Sequence, residues 1–144
     1  MIVLILSQME GFVMNATWKP EGYRSVTPYL IVNGADRLIE FLKEVFDAEL
    51  VDRHVDANGD VRHASCRLGD SIVELSGGSN EKFSPMRNAL HVYVEDADAT
   101  YVRALNAGAR SLYPPQDHDY GERSGGVEDP FGNHWYIATW AKKE

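Results

Sequence analysis

The sequence predicts an α+β domain made of two tandem βαβββ modules, over residues 26–76 and 89–139. Three observations predict it. A strand, an amphipathic helix and three further strands occur twice in the same order. Each apolar run is bounded by Gly, Asn, Asp or Pro. The stretch Gly77–Asn88, carrying Gly, Ser, Asn and Pro, separates the two copies. A repeat this long and this few in number is not a solenoid, so the two copies are expected to pair into one sheet.

The first strand is expected over Val26–Val32, a β-rich apolar run broken at Asn33-Gly34. Leu38, Phe41, Leu42, Val45 and Phe46 then recur at helical spacing, which predicts a helix over residues 35–46. Asp47 stands where Gly is the more usual stop, and Asp tolerates the left-handed turn required there. Three strands follow: Glu49–Val55, Val61–Leu68 and Ser71–Ser76. They are joined by the hairpin pair Asn58-Gly59 and the turn Gly69-Asp70. In the second module Ala89–Val94 is a strand, and Glu95-Asp96-Ala97-Asp98 offers N-caps for a helix over Ala97–Ala107, closed by Gly108. Arg110–Tyr113, Gly121–Glu128 and His134–Thr139 complete the set, with Asp129-Pro130-Phe131-Gly132-Asn133 as the last turn.

Composition limits the function classes. A hydrophobic share of 44% and a charged share of 25% are those of an ordinary globular chain. The net charge of -8, with Lys and Arg scattered, argues against a nucleic-acid partner, because phosphate binding needs clustered cations. No stretch is long enough to span a bilayer, so no membrane partner is expected. The lone Cys66 excludes an internal disulfide and a multi-cysteine zinc site, and fits a cytoplasmic setting. At the N-terminus, Ile2-Val3-Leu4-Ile5-Leu6 is too short for a signal segment and lacks a preceding positive charge. Residues 1–19 are therefore expected to be an extension, of which 1–13 play no part in the fold, and 20–144 a single domain.

Alternation along the strands separates two faces. Leu30, Val32, Val73, Leu75, Leu90, Val92, Val94, Trp135 and Ile137 share an apolar face, the natural seat of the helices. The opposite face carries Thr27, Tyr29, Ile31, Ile72, Glu74 and Ser76, then Ala89, His91, Tyr93, His134, Tyr136 and Ala138. Aromatic, imidazole and carboxylate groups among apolar ones are what a small-molecule cleft requires.

The paired modules, the helix-closing Asn106-Ala107-Gly108-Ala109 and the run Glu128-Asp129-Pro130-Phe131-Gly132-Asn133-His134-Trp135 resemble the vicinal oxygen chelate superfamily. Val26-Thr27-Pro28-Tyr29-Leu30-Ile31-Val32 and Tyr120-Gly121-Glu122-Arg123-Ser124-Gly125-Gly126 resemble its glyoxalase and bleomycin-resistance branch, the PhnB-like group in particular. The resemblance covers residues 20–141. It implies eight strands in a mixed sheet curled around a cleft, and a homodimer. It also implies four metal-ligand positions, which fall on Thr27, Glu74, Ala89 and Tyr136. Only Glu74 is a usual ligand type, and a divalent ion needs several converging donors. No metal or other cofactor is therefore expected. His91 lies two residues beyond a ligand position; with Glu74 and His134 it would make an unorthodox site, or it hydrogen-bonds a ligand.

The expected ligand-binding residues are Tyr29, Glu74, His91, Tyr93, Arg123, His134 and Tyr136. Glu74, expected among Ile72, Tyr93 and Tyr136, is the candidate general base or the anchor for a ligand amine. Arg123, with Tyr120 near the cleft mouth, would hold a carboxylate or phosphate. His63 lies in Val61-Arg62-His63-Ala64, and its face is left open. Four readings follow, the last a structural or regulatory partner-binding role. The chain is a metal-free binding protein, of the kind that sequesters an antibiotic or another xenobiotic, or an enzyme using Glu74 without metal. The third reading is a metal-dependent lyase, isomerase or dioxygenase.

Overall fold

In a computed structural model, which describes residues 18–78 and 83–140, the two modules have the expected element order. They are β1 (Tyr29–Val32), α1 (Ala35–Phe46), β2 (Glu49–Val55), β3 (Val61–Leu68) and β4 (Ser71–Gly77). The second set is β5 (Ala89–Tyr93), α2 (Ala97–Asn106), β6 (Arg110–His118), β7 (Glu122–Glu128) and β8 (His134–Trp140). Nearly all of the expected N-terminal extension lies outside the described residues, as does part of the stretch between the modules.

The eight strands divide into two mixed four-stranded sheets, one per module, ordered β1-β4-β3-β2 and β5-β8-β7-β6. In each, the first strand runs parallel to the last and the remaining pairs are antiparallel. The helices close the apolar faces. Leu38, Ile39, Leu42 and Val45 of α1 and Ala97, Tyr101 and Ala104 of α2 join Leu30, Val32, Leu75, Trp135 and Ile137 in one continuous core. Burying each large side chain of this set contributes about 1.5–3 kcal/mol. The modules are tied through the helix layer: the Phe46 ring lies 5.1 Å from Trp135, and Arg103 donates to the Val45 carbonyl at 2.9 and 3.2 Å. A guanidinium at the C-terminal end of α1 also complements the helix dipole there.

Local chemistry explains where the observed elements differ from the expected ones. β1 begins at Tyr29, later than the apolar run, because Pro28 has no N–H; its carbonyl still accepts from the Glu74 amide at 2.9 Å. β6 runs on to His118, through Pro114-Pro115. It is an edge strand, and its register with β7 shifts between Tyr113 and Gln116, the setting in which a sheet tolerates proline. Both helix stops are as read: Asp47 adopts the left-handed conformation at φ 55°, and Gly108 at φ 102°. Asp96 caps α2, its carboxylate accepting from the Ala99 amide at 3.1 Å.

The Asp-Pro-Phe-Gly turn is a buried structural device. Asp129, 3% exposed, accepts from the amides of Phe131 (2.8 Å) and Asn133 (2.9 Å), from Asn133 Nδ2 (3.0 Å) and from Trp135 Nε1 (2.8 Å). One carboxylate thus fixes the turn, the start of β8 and the orientation of the largest core side chain. Cys66 is buried as expected, and burial pushes its thiol pKa up. No helix among the described residues is long and apolar enough to cross a membrane.

Candidate functional site

With the helices on the apolar faces, each sheet turns its other face away from the core. These polar faces carry the expected residues, in two clusters rather than one.

On the first sheet, His63 Nε2 lies 2.8 Å from Glu74 Oε1, both side chains about one-third exposed or less. The Tyr29 ring packs 5.9 Å from His63, and His54 lies 6.2 Å away on the other side. Ser65 sits directly across from Glu74 in the β3–β4 register; its hydroxyl is fully buried and has no hydrogen-bond partner. Tyr93 and Tyr136, expected as walls of Glu74, are on the second sheet instead. His63 takes their place.

On the second sheet the centre is Glu122, which sequence reasoning did not single out. It is 4% exposed. His91 Nε2 lies 2.9 Å from its Oε2, and the Tyr93 hydroxyl donates to its Oε1 at 3.2 Å. His91 and Tyr93 are on β5 and Glu122 on β7, so both side chains cross β8. They do so over Ala138, the partner of Tyr93 on one side and of Ser124 on the other, where a larger residue would block the path. Further along the same face, Ser124 Oγ bridges the Tyr113 hydroxyl (3.2 Å) and His118 Nε2 (2.9 Å). The Tyr113 ring lies over Gly126, where even a Cβ would meet Tyr113 Cε1 at 2.5 Å, and stacks near Tyr136 with centroids 6.5 Å apart. Tyr120 stacks on His118 at 5.2 Å.

Two expected residues are engaged elsewhere. Arg123 lies on the helix side of β7, as does Val127. It makes a bidentate pair with Asp98 of α2 (2.8 and 3.0 Å) and reaches Asp117 at 3.3 Å. Its guanidinium holds the Asp98 carboxyl below the usual range. The arginine is spent on the fold rather than held out to a ligand. His134 lies on the polar face but hydrogen-bonds Glu128 at 3.2 Å, and Glu128 also takes Arg110 at 2.9 Å. The hydrogen bond from His134 and the charge of Arg110 lower the Glu128 pKa. Glu74, His91 and His134 thus have three separate partners and form no common site.

The four implied metal positions can be tested on their donors. Thr27 directs its hydroxyl to the Arg24 carbonyl at 3.5 Å, Ala89 has no donor, and Tyr136 is packed near Tyr113. Glu74 is held by His63. Among the described residues no three His, Cys, Asp or Glu side chains are placed to hold a metal ion. The donor set does not fit the ion that the fold implies.

A groove of about 640 Å³ runs between the entry to β1, the β3–β4 turn and the free edge of β5. Thr27 and Ile72 of the first module and His91 and Tyr93 of the second line it together with Phe46, Val73, Leu90, Val92 and Trp135 of the helix side, so it follows the seam between the modules and reaches the polar faces at its edge.

Residues 24–137 match the model of the Glyoxalase/Bleomycin resistance protein/Dioxygenase superfamily. The chain belongs to this superfamily. Its curated relatives include the uncharacterized protein Rv0887c of Mycobacterium tuberculosis, 33% identical over 140 residues that cover 90% of this chain and 80% of that one. Mb0911c of Mycobacterium bovis, also uncharacterized, is 34% identical over 123 residues (78% and 81%). Among solved structures, TioX from Micromonospora sp. ML1 superposes with a TM-score of 0.66 at 27% identity, covering 84% of this chain and 99% of that one. The fosfomycin resistance protein FosX from Mesorhizobium loti gives 0.58 at 23% (84% and 93%) and shows the shared fold.

The missed residues left signals. Val127 fixes the parity of β7, and counting back from it puts Arg123 on the helix side and Glu122 and Ser124 on the polar face. The pair Gly125-Gly126, having no side chains, hides that alternation. For His63, the run Ala64-Cys66-Leu68 points to the polar face, but Val61, apolar and buried on the odd parity, obscures it.

Proposed function

We propose that this protein is a metal-independent small-molecule-binding member of its superfamily, acting in the cytoplasm as a homodimer. The observation that carries this reading is the Glu122 cluster. A buried carboxylate, with His91 and Tyr93 turned onto it over Ala138, replaces metal ligation as the organising centre of the polar face. Around it stand Tyr113, Tyr120 and Tyr136, apolar surface with a few fixed polar anchors, which is the composition of a ligand site. The groove of about 640 Å³ beside His91 and Tyr93 has the volume that such ligands occupy.

A second copy supplies the opposite wall in this reading. Tyr29, Tyr93 and Tyr120 are exposed in the single chain, and among the described residues the main packing of each sheet is between its own strands and against the helices. Exposed aromatic clusters of this kind are covered by a partner or a ligand. Sequestration of an antibiotic or xenobiotic is the biological role that fits a binding cleft without metal chemistry.

One observation favours a second reading, catalysis without metal. His63 is held through Nε2 by Glu74, which turns its other ring nitrogen to the face, and the buried Ser65 hydroxyl nearby has no partner among the described residues. The experiment that separates the readings is a ligand screen by thermal shift on the full chain, with and without a chelator, and light scattering for mass. Binding by a dimer, indifferent to the chelator and retained in Glu74→Gln, is expected. A monomer, or binding that vanishes with the chelator, would overturn the proposal. Turnover of a bound compound that is lost in Glu74→Gln would establish the second reading.

A further inference from the structure

The rim of the Glu122 cluster has a chemistry of its own. Tyr93 is 60% exposed, Tyr120 61% and Trp140 55%. All three stand around the same carboxylate. Tyr93 donates to it; Trp140 is its direct cross-strand partner in the β7–β8 register, on the same face. Tyr120 precedes it by a tight turn at Gly121, which has φ 101°. Partial desolvation, then the hydrogen bond to Glu122 and its charge, raise the phenol pKa of Tyr93; partial desolvation and then the charge of Glu122 raise that of Tyr120. The field of the carboxylate therefore reaches both rings.

Glu122 has no lysine or arginine partner among the described residues; its ion-pair contact is to His91. Arg123, next in the chain, is on the other side of the sheet with Asp98. A carboxylate at 4% exposure without a lysine or arginine partner lies beside three exposed aromatic side chains, on a chain whose net charge is -8. We propose that Tyr93, Tyr120 and Trp140 form an aromatic cage over Glu122 that binds an organic cation of the fully alkylated ammonium type. This inference rests on the binding reading above and names the ligand class.

The hydrogen bonding selects that class. Both oxygens of Glu122 already receive a donor, from His91 and Tyr93, and they are covered. A primary ammonium or a guanidinium, which needs its N–H groups accepted, would find the carboxylate's remaining lone pairs buried beneath the two groups that already bond it. A metal ion would find one buried carboxylate in place of several converging donors. An alkylated ammonium has no N–H to satisfy; it gains from π-faces and from a negative charge it does not have to touch.

The test is a titration of the full ¹⁵N-labelled chain followed at the Trp140 indole N–H, assigned with Trp140→Phe. The probes are choline and its neutral isostere 3,3-dimethylbutan-1-ol. Choline is expected to shift that resonance saturably and to bind about tenfold or more tighter than the isostere, a ratio within reach of a desolvated cation–π site. Trp140→Ala and Tyr120→Leu, both at exposed positions, are each expected to weaken choline about two- to fivefold. Glu122→Gln, which keeps the acceptor and removes the charge, should erase the preference for choline over the isostere. Equal affinity for the two probes, or a choline response unchanged in Trp140→Ala, would overturn the cage. If a neutral compound binds the groove and choline does not, the cage fails and the proposed function stands. If neither face binds any small molecule, both fail.

Discussion

Replacing Asp129 with Ala is expected to destabilise the protein by about 3–5 kcal/mol, the upper range for breaking a buried hydrogen-bond network and leaving several donors unsatisfied. The size follows from what the carboxylate holds. Four donors converge on it: the amides of Phe131 and Asn133, the Asn133 side chain and the Trp135 indole. Asn133 and Trp135 are both fully buried, so their donors would lose their partner with no water to replace it. The loss would not stay local. Trp135 packs against Phe46 of α1, so a loosened indole weakens the seam between the modules. Urea unfolding of Asp129→Ala against the parent checks this. A change within about 0.5 kcal/mol, the range of an ordinary surface substitution, would show that the turn is held by its backbone alone.

The second large effect is expected from a single methyl group. Gly126 has an ordinary backbone conformation, so Gly126→Ala introduces no backbone strain. Its Cβ, however, would lie 2.5 Å from Tyr113 Cε1 and 2.9 Å from Cδ1. The ring has to leave. With it go the hydrogen bond to Ser124, the edge contact with His118 and the stack against Tyr136. Overpacking of this kind costs about 1–3 kcal/mol. The same substitution should remove ligand binding at the second sheet, because Tyr113 is part of its aromatic wall. A double-mutant cycle with Tyr113→Ala makes the mechanism visible. In the Tyr113→Ala background the methyl is expected to be nearly neutral, and strict additivity of the two changes would contradict the steric account.

The fold was legible because its signals are periodic and local. Leu38, Leu42 and Val45 mark one helix face, Asn58-Gly59 a hairpin and Gly108 a stop, and all of these act within a few residues. The boundaries that moved did so through proline. Pro28 withheld a donor and shortened β1, whereas Pro114-Pro115 were accommodated by an edge position and a register shift that no local pattern announces. The division into two four-stranded sheets is likewise a tertiary fact, set by the shared helix layer.

The site was legible in part. Strand parity placed Tyr29, Glu74, His91, Tyr93, His134 and Tyr136 on the polar faces. It could not say which of them meet, because pairing across a sheet depends on strand order. Glu74 was read with Tyr93 and Tyr136, yet β4 and β8 belong to different sheets, and His63 on the neighbouring β3 is the residue that reaches it. For His91 the sequence suggests Glu74 and His134 as companions, or a ligand as its hydrogen-bond partner. Its partner, Glu122, is two strands away, and the contact exists only because β8 carries Ala138 between them. Arg123 was read toward a ligand from its place in a glycine-rich segment, while the parity of β7 sends it to Asp98.

The claim that organises this account is that a carboxylate cluster has taken the place of metal ligation. The most direct test is the metal content of the full chain after incubation with zinc, nickel, manganese and iron(II) and removal of loosely held ions. The account predicts far less than one ion per chain for each metal, with no difference between the parent and Glu74→Ala. One tightly held ion per chain, lost in Glu74→Ala, would contradict it and would return the protein to the metal-dependent chemistry of its superfamily.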